Sequence, residues 1–239
     1  MAGFFYNLGR RLGPTVRKGQ WLWQSAAGSE KDAIEAEAKV GRDLAETIVR
    51  EIGLSEDASI TSEIDAMGAR LADRVKNRHR SFRTRVLAGG PPNAFALPGG
   101  FLFITRELIE LAEGDADALA FVIGHEMGHV IRQHPVERIM TDAVVGAAVR
   151  ALPTARLAGG WIQSAGARLL TSAYSQDREF EADALGVALA EAAGFDAIGS
   201  VRLLQRLADT TRGSSRPLAE YFATHPPIED RIHQLRRRR

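Results

Sequence analysis

Hydrophobic residues recur every three or four positions along several stretches of the chain, a spacing that predicts amphipathic helices. The first stretch, Glu30–Ile52, follows a polar joint at Gly28 and Ser29 and ends at Gly53, a residue type favoured just after a helix. Later stretches with the same period are Ser62–Val75, Gln176–Ala193, Ala197–Thr210 and Pro227–Leu235. A helix is also predicted to start at Pro135 and to run towards Val149. The chain is therefore expected to be predominantly helical.

After the predicted helix Ser62–Val75, hydrophobic and polar residues alternate with a period of two, which indicates β-strands. The predicted strands are Ser81–Leu87, Asn93–Leu97 and Phe101–Thr105. Proline follows Asn93–Leu97 directly, so this strand is expected at the edge of its sheet. The pattern predicts an α+β fold, predominantly helical, with a small antiparallel or mixed sheet.

The run Ala118–Ile131 is the most apolar predicted helix and contains the sequence His-Glu-Met-Gly-His. Residues four apart share a helix face, so His125 and His129 would point the same way with Glu126 beside them. Two imidazoles and a third protein ligand hold a catalytic Zn²⁺, and the glutamate takes a proton from water at the open position. A pair of core histidines is the alternative. Asp115 as a helix cap favours the metal-binding interpretation.

Composition narrows the possible chemistry. The 239 residues are 45% hydrophobic and 26% charged, as in an ordinary soluble globular protein, and the net charge of +1 gives no reason to expect nucleic acid. The chain has no cysteine, so any metal must be bound by histidine and carboxylate. No secretory signal and no apolar run of transmembrane length is recognised, so a location in the cytoplasm or at the periphery of a membrane is expected.

The third metal ligand has several candidates. In the extended His-Glu-x-x-His-x-x-Gly-x-x-His pattern the last histidine would stand at Pro135, so His134 does not fit and is expected to make a structural hydrogen bond. Glu179, on a separate predicted helix, would complete the two-histidine, one-glutamate set of zinc hydrolases. Asp183, one turn later, would accept the outer N–H of a ligand histidine. The alternative is that this acidic pair is solvated surface.

Motifs in a fixed order resemble a known family. They are Asn93–Phe101, His125–His129, Glu179–Asp183 with Gly186, and Thr224–Pro226. Together they resemble the zinc endopeptidase family of HtpX, the CAAX prenyl protease and BepA over about Asn93–Arg239, and the chain is closest in kind to the compact members without transmembrane helices.

The resemblance implies a zincin-like metallopeptidase fold with one Zn²⁺ per chain. It implies His125, His129 and Glu179 as zinc ligands, Glu126 as the general base and Asp183 as the acidic residue behind a ligand. It also implies that His225 lies near the metal, where it would donate a hydrogen bond to the developing oxyanion. A loop histidine that caps the last helix is the alternative for His225.

An edge strand beside a metal can bind an extended peptide through backbone hydrogen bonds. Substrate binding is therefore predicted for the residues Asn93, Ala94, Phe95 and Ala96. The predicted function is zinc-dependent endopeptidase activity on extended or unfolded protein segments, in protein quality control. The alternative is a largely latent zinc-containing chaperone or assembly factor that binds exposed strands. A purely structural role for the zinc is less consistent with the sequence, because Glu126 would stand at the open coordination position.

The predicted organisation is an N-terminal arm, 1–29, and a single metallopeptidase domain, 30–239. Within that domain, 30–80 is helical scaffold and 81–239 is the catalytic core. Aromatic and basic residues of 1–23 would contact a membrane surface or pack on the protein itself. The Ala- and Gly-rich segment Ala143–Ala173 fits core, a lid over the cleft or a membrane-touching hairpin. The oligomeric state is left open.

Overall fold

In a computed structural model of the chain, helices surround a small mixed β-sheet. The structure describes residues 29–139, 173–213 and 228–237, and the single positions 4, 7, 8, 10–12, 141 and 225. It describes the side chains of all these residues except 211–213. The helices are α1 (Glu30–Ile52), α2 (Ala58–Ala72), α3 (Arg106–Leu111), α4 (Ala116–Ile131), α5 (Gln176–Ala192), α6 (Ile198–Gly213) and α7 (Ile228–Arg237). The strands are β1 (Arg83–Leu87), β2 (Ala94–Leu97) and β3 (Phe101–Thr105). The predicted α+β, predominantly helical class is confirmed.

Helix α1 has the predicted limits. Ser29 caps its start in a reciprocal pair of hydrogen bonds with Asp32, and Gly53 follows its end with φ of 85°. Helix α2 begins four residues before the predicted start and ends at Ala72. The reason is Asp57, whose carboxylate accepts hydrogen bonds from the backbone N–H groups two and three residues later.

One charged side chain interrupts the buried face of α1. Glu37 is 1% exposed, and its carboxylate accepts hydrogen bonds from Arg80 at 2.9 Å and from Gln133 at 3.2 Å. Burial raises the pKa of Glu37, and the Arg80 guanidinium acts in the opposite direction. This interaction connects α1 with the chain before β1 and with the end of the His-Glu helix, α4.

The sheet has the strand order β1-β3-β2, with β1 parallel and β2 antiparallel to β3. Strand β2 is an edge strand, as predicted. Thr105 donates its N–H to the Asn93 carbonyl at 2.9 Å, which makes this a hydrogen-bonded pair. Hydrogen-bonded pairs alternate along an antiparallel ladder, so Ala94 and Ala96 direct their backbone N–H and C=O groups to the outer edge of the sheet.

Two apolar clusters pack on the two faces of the sheet. The larger cluster surrounds α4, which is buried from Ala118 to Val130, and receives Leu102 and Ile104 of β3. The smaller cluster lies between α1 and the other face, where it includes Phe103. Leu8 and Leu12 of the N-terminal arm are buried in that smaller cluster. At these positions the arm packs on the protein itself, and membrane contact by 1–23 stays a prediction.

Parts of the sequence-based interpretation lie outside the described residues. They are the Ala143–Ala173 segment except its last residue, and most of the helix predicted after Pro135, of which 134–139 and 141 are described as helical. Among the described helices, none is both long enough and apolar enough to cross a membrane. The compartment stays a prediction.

The start of α4 is fixed by Asp115. Its carboxylate accepts a hydrogen bond from the Ala118 N–H at 3.1 Å and two from the Arg202 guanidinium of α6, at 2.6 Å and 2.7 Å. The Arg202 hydrogen bonds hold the pKa of Asp115 below its ordinary value, although partial burial acts in the opposite direction.

We expect Asp115→Ala to lower the free energy of unfolding by about 1–2 kcal/mol, because it removes the helix cap. Asp115→Asn keeps a capping oxygen and should cost less. The ion-pair contribution of Asp115 is present above the pKa of a free aspartate and is lost as the pH falls through its lowered folded-state pKa. Urea unfolding at neutral and acidic pH measures this. Equal losses for both variants at neutral pH would contradict the capping role.

Candidate metal centre

Helix α4 presents two imidazoles on one buried face. His125 and His129 are 2% and 0% exposed, and their Nε2 atoms lie 3.1 Å apart. Burial lowers the pKa of His129 well below its ordinary value, so its ring stays neutral, as metal binding requires. Glu126, the residue that follows His125 on this helix, is also buried, at 3% exposure.

Helix α5 adds a carboxylate to these two rings. Glu179 is fully buried, and its oxygens lie 3.6 Å from His125 Nε2 and 3.4 Å from His129 Nε2. Ligand atoms at 2.0–2.1 Å from a tetrahedral Zn²⁺ are roughly 3.4 Å from one another. The shortest distances between the three side chains are close to this value, with a different Glu179 oxygen nearest to each histidine, so the three side chains fit a tetrahedral Zn²⁺ as neighbouring ligands.

Small residues let α4 and α5 approach closely enough for this arrangement. A Cβ atom at Gly186 would lie 2.8 Å from the backbone N of His125, and one at Gly124 would lie 2.8 Å from the Gly186 carbonyl oxygen. One turn further along α4, Gly128 faces Ala182 in the same way. Any larger residue at the crossing would push the Glu179 helix away from the histidine helix.

We expect Gly186→Ala to move α5 by roughly 1 Å, because a carbon contact needs about 3.5–4.0 Å. A shift of this size at a metal site should lower zinc affinity by at least about tenfold. Gly89→Ala is the matched control, since nothing lies within 4 Å of the added Cβ. Competition with a chromogenic zinc chelator measures both affinities, and equal affinities for the two variants would show that the close crossing is unimportant.

Arg231, a buried arginine of α7, contacts the carboxylates of both Asp183 and Glu179. His125 Nδ1 lies 2.8 Å from Asp183, and Arg231 donates two hydrogen bonds to the same carboxylate at 2.8 Å and 2.7 Å. Arg231 Nη1 also lies 3.0 Å from Glu179 Oε2. Burial would raise the pKa of both carboxyl groups, but their cationic partners lower it. Arg231 lowers that of Asp183, and His225 and Arg231 hold that of Glu179 well below its ordinary value.

Sequence reasoning missed Arg231, because an arginine in a charged terminal helix looks like surface. The sequence feature that could have revealed it is its position within the apolar stripe of this helix. Arg231 stands three residues after Ile228 and four before Leu235, and these two residues define the buried stripe of α7. An arginine within an apolar stripe needs a buried acidic partner.

His134 contacts a candidate ligand from outside. Its Nδ1 lies 2.8 Å from His129 Nδ1, and its Nε2 lies 3.7 Å from a Glu181 oxygen. With His129 Nε2 directed to a metal, the His129 Nδ1–H donates to His134, which must be neutral to accept. Burial lowers the pKa of His134 to about 4, so it is neutral at physiological pH. The residue thus makes a hydrogen bond near the end of α4 and lies outside the candidate ligand group.

The ring of Tyr174 covers the other side of His129 and was also missed from the sequence. The two rings stack with centroids 4.1 Å apart and an interplanar angle of 21°. The Arg138 guanidinium lies 3.5 Å from the centroid of the same phenol ring. Burial raises the pKa of Tyr174 to about 12, so the phenol is neutral. This stack restricts rotation of the His129 imidazole.

His225 is brought to the same centre. Its Nδ1 lies 3.1 Å and 3.2 Å from the two Glu179 oxygens, and its Nε2 lies 3.8 Å from Glu126 Oε1. Burial would lower the pKa of His225, but the Glu179 and Glu126 carboxylates raise it above its ordinary value. One ligand atom from each of His125, His129, Glu179 and His225 lies within 4.8 Å of the others.

The predicted substrate strand packs against the histidine helix. Strand β2 contacts α4, and the side chains of Asn93, Ala94, Phe95 and Ala96 are buried. Only the backbone of β2 is therefore directed to the outer edge of the sheet, and substrate binding there stays a prediction.

Comparison with known proteins decides the family. The sequence profile of peptidase family M48 matches residues 58–239. The chain belongs to this family. The match starts before Asn93, so it extends beyond the motifs that carried the resemblance, and the predicted zinc metallopeptidase family is confirmed.

Similar proteins include a bacterial protease and a mitochondrial metalloendopeptidase. The chain is 30% identical over 197 residues to the Escherichia coli K12 beta-barrel assembly-enhancing protease, covering 77% of this chain and 40% of that protein. It is 29% identical over 154 residues to the mitochondrial metalloendopeptidase OMA1 of Schizosaccharomyces pombe, covering 63% of this chain and 44% of the relative. The chain thus spans less than half the length of these relatives.

Proposed function

We propose that this M48 protein is a zinc-dependent endopeptidase that cleaves extended or unfolded polypeptide segments. The observation that carries the proposal is the buried triangle of His125, His129 and Glu179, with ligand atoms 3.1–3.6 Å apart and Glu126 next to it in sequence. A stored or purely structural zinc would not need Glu126 as a further buried carboxylate on the histidine helix.

The proposed mechanism assigns one proton path to Glu126. A bound zinc ion would supply polarisation of the scissile carbonyl and a lowered pKa of water. Glu126 accepts a proton from the attacking water, whose oxygen forms the new bond to the carbonyl carbon. The C–N bond then breaks, and Glu126 returns the proton to the leaving amine nitrogen. His225 Nε2, 3.8 Å from Glu126, donates a hydrogen bond to the developing oxyanion.

The substrate class follows from the edge strand. The outward backbone groups of Ala94 and Ala96 can pair with an added strand, and only an extended segment can present its own backbone in this way. The name of the E. coli relative, which refers to β-barrel assembly, supports a role for this chain in protein quality control.

The test compares unfolded and folded substrates. Zinc-loaded protein should cleave casein and leave a tightly folded protein intact, and a chelator should stop cleavage until zinc is restored. His129→Ala should remove both bound zinc and cleavage. Stoichiometric zinc in His129→Ala would exclude the proposed ligand set, and cleavage that is unaffected by the chelator would exclude the metallopeptidase activity.

A second candidate function is a largely latent protein that binds exposed strands and rarely cuts them. The position of His225 favours it, because a fourth ligand would occupy the place that water needs. His225→Ala separates the two functions. Loss of an oxyanion donor should lower kcat by about 10²- to 10³-fold, whereas removal of a blocking ligand should raise the rate of casein cleavage.

A further inference from the structure

A groove lies on the side of the sheet away from the metal centre. It has a volume of about 530 Å³ and runs between α1 and the strands β1 and β3. Phe101 and Phe103 line it, and these residues belong to the β3 face that packs towards α1. This volume is in the range of specific binding pockets.

The walls of the groove are cationic and its floor is apolar. Arg42 and Arg50 project from α1, and Arg83 and Arg85 project from β1. All four are exposed, and in the part of the chain that the structure describes none of them forms a salt bridge with a carboxylate. Glu46 is the acidic residue that lines the same groove. The lining therefore has an excess of positive charge beside aromatic surface.

The spacing of the charges indicates the shape of the ligand. Arg42 and Arg50 are eight residues apart on α1, which separates them by about 12 Å along the helix axis. This distance corresponds to roughly three or four residues of extended polypeptide. A single phosphate group would contact one end of the groove only. An extended segment with carboxylates on both sides of an apolar side chain would contact both arginine pairs and the phenylalanine floor.

The chain itself does not offer a segment of this kind. The longer stretches that the structure does not describe, 13–28, 142–172 and 214–224, together carry six Lys or Arg residues against two acidic residues. A basic segment would be repelled by the four arginines. Charge complementarity therefore favours an acidic partner over the arm or the Ala- and Gly-rich segment.

We propose that this groove binds an extended, acidic polypeptide segment of a partner protein, in which apolar side chains lie between the carboxylates. Binding is separate from cleavage, because the groove and the metal centre are on opposite faces of the sheet. The arginines pair with carboxylates, and the floor formed by Phe101 and Phe103 covers an apolar side chain between them. The proposal does not depend on the peptidase activity.

The test is a binding titration with the full-length protein. The probe is a fluorescein-labelled peptide of about ten residues in which glutamate and leucine alternate, and a peptide with lysine in place of glutamate is the control. The Glu126→Gln background prevents cleavage of the probe. The doubly substituted Arg83→Glu, Arg85→Glu variant should bind the acidic probe at least about tenfold more weakly. The doubly substituted Arg74→Glu, Lys76→Glu variant, at two exposed positions after the end of α2, is the charge-matched control and should bind as the parent does.

Three outcomes would overturn the proposal. They are absence of binding to the acidic probe, equal loss in the Arg74→Glu, Lys76→Glu control, and binding only to phosphatidylglycerol vesicles, which would assign the groove to a membrane surface. The Arg83→Lys, Arg85→Lys variant, which keeps the charges, should retain most of the affinity. Unchanged zinc content and melting temperature in each variant establish that the fold is intact.

Discussion

Arg231→Met should lower the zinc affinity of the protein by about 10- to 100-fold and lower its melting temperature. The guanidinium is fully buried and contacts both Asp183 and Glu179. Its removal leaves two buried carboxylates without their cation, and breaking a buried ion pair in this way costs about 3–5 kcal/mol. Loss of the hydrogen-bonding partners that orient metal ligands typically reduces metal affinity by about 10- to 100-fold.

Two further variants distinguish the charge from the shape of Arg231. Arg231→Lys keeps a cation but cannot donate two parallel hydrogen bonds to Asp183, so it should recover stability more than zinc affinity. Asp183→Asn in the Arg231→Met background removes one of the orphaned charges and should restore part of the stability. Zinc titration and thermal unfolding of the purified variants measure both quantities. If Arg231→Met binds zinc as tightly as the wild type, the arginine does not position the ligands.

Glu126→Gln should lower kcat for casein cleavage by about 10²- to 10⁴-fold while stoichiometric zinc is retained. Glutamine has nearly the same shape, but its amide cannot accept the proton of the attacking water. The proposed ligands His125, His129 and Glu179 are unchanged, so the metal should bind as before. A loss of activity together with retained zinc is the signature of a base, whereas a loss of both would indicate damage to the site.

Glu110→Gln is a suitable control for this measurement. Its carboxylate pairs with Arg106 on α3 and is 61% exposed, so the same chemical change at this position should leave kcat unchanged. Wild-type rates in Glu126→Gln would exclude the proposed proton path.

Local patterns in the sequence predicted most of the fold. The limits of α1 and of β3 follow from caps and from the change of period, and the edge position of β2 follows from the proline after it. The early start of α2 was missed, because Asp57 was not recognised as a cap. Each of these features depends on residues that are neighbours in the chain.

The site was predictable only in part, for a physical reason. The histidine pair on α4 shares one helix turn, so spacing reveals it. The partners of Arg231 and Glu37 lie on other elements, and helical periodicity does not encode which buried charges will meet. The stack of Tyr174 on His129 likewise depends on how the chain enters α5, which no local pattern specifies.

A zinc ion bound at the candidate metal centre would also make the stability of the protein depend on the supply of zinc. The candidate ligands lie on α4 and α5, and Arg231 of α7 contacts the Glu179 carboxylate, so one bound ion would add a further connection between helices that already share an apolar core. An ion that binds only the folded state stabilises it by about 2.7 kcal/mol at one hundred times its dissociation constant. Zinc-starved cells should therefore contain less of this protein, because the empty form unfolds more often and is removed sooner.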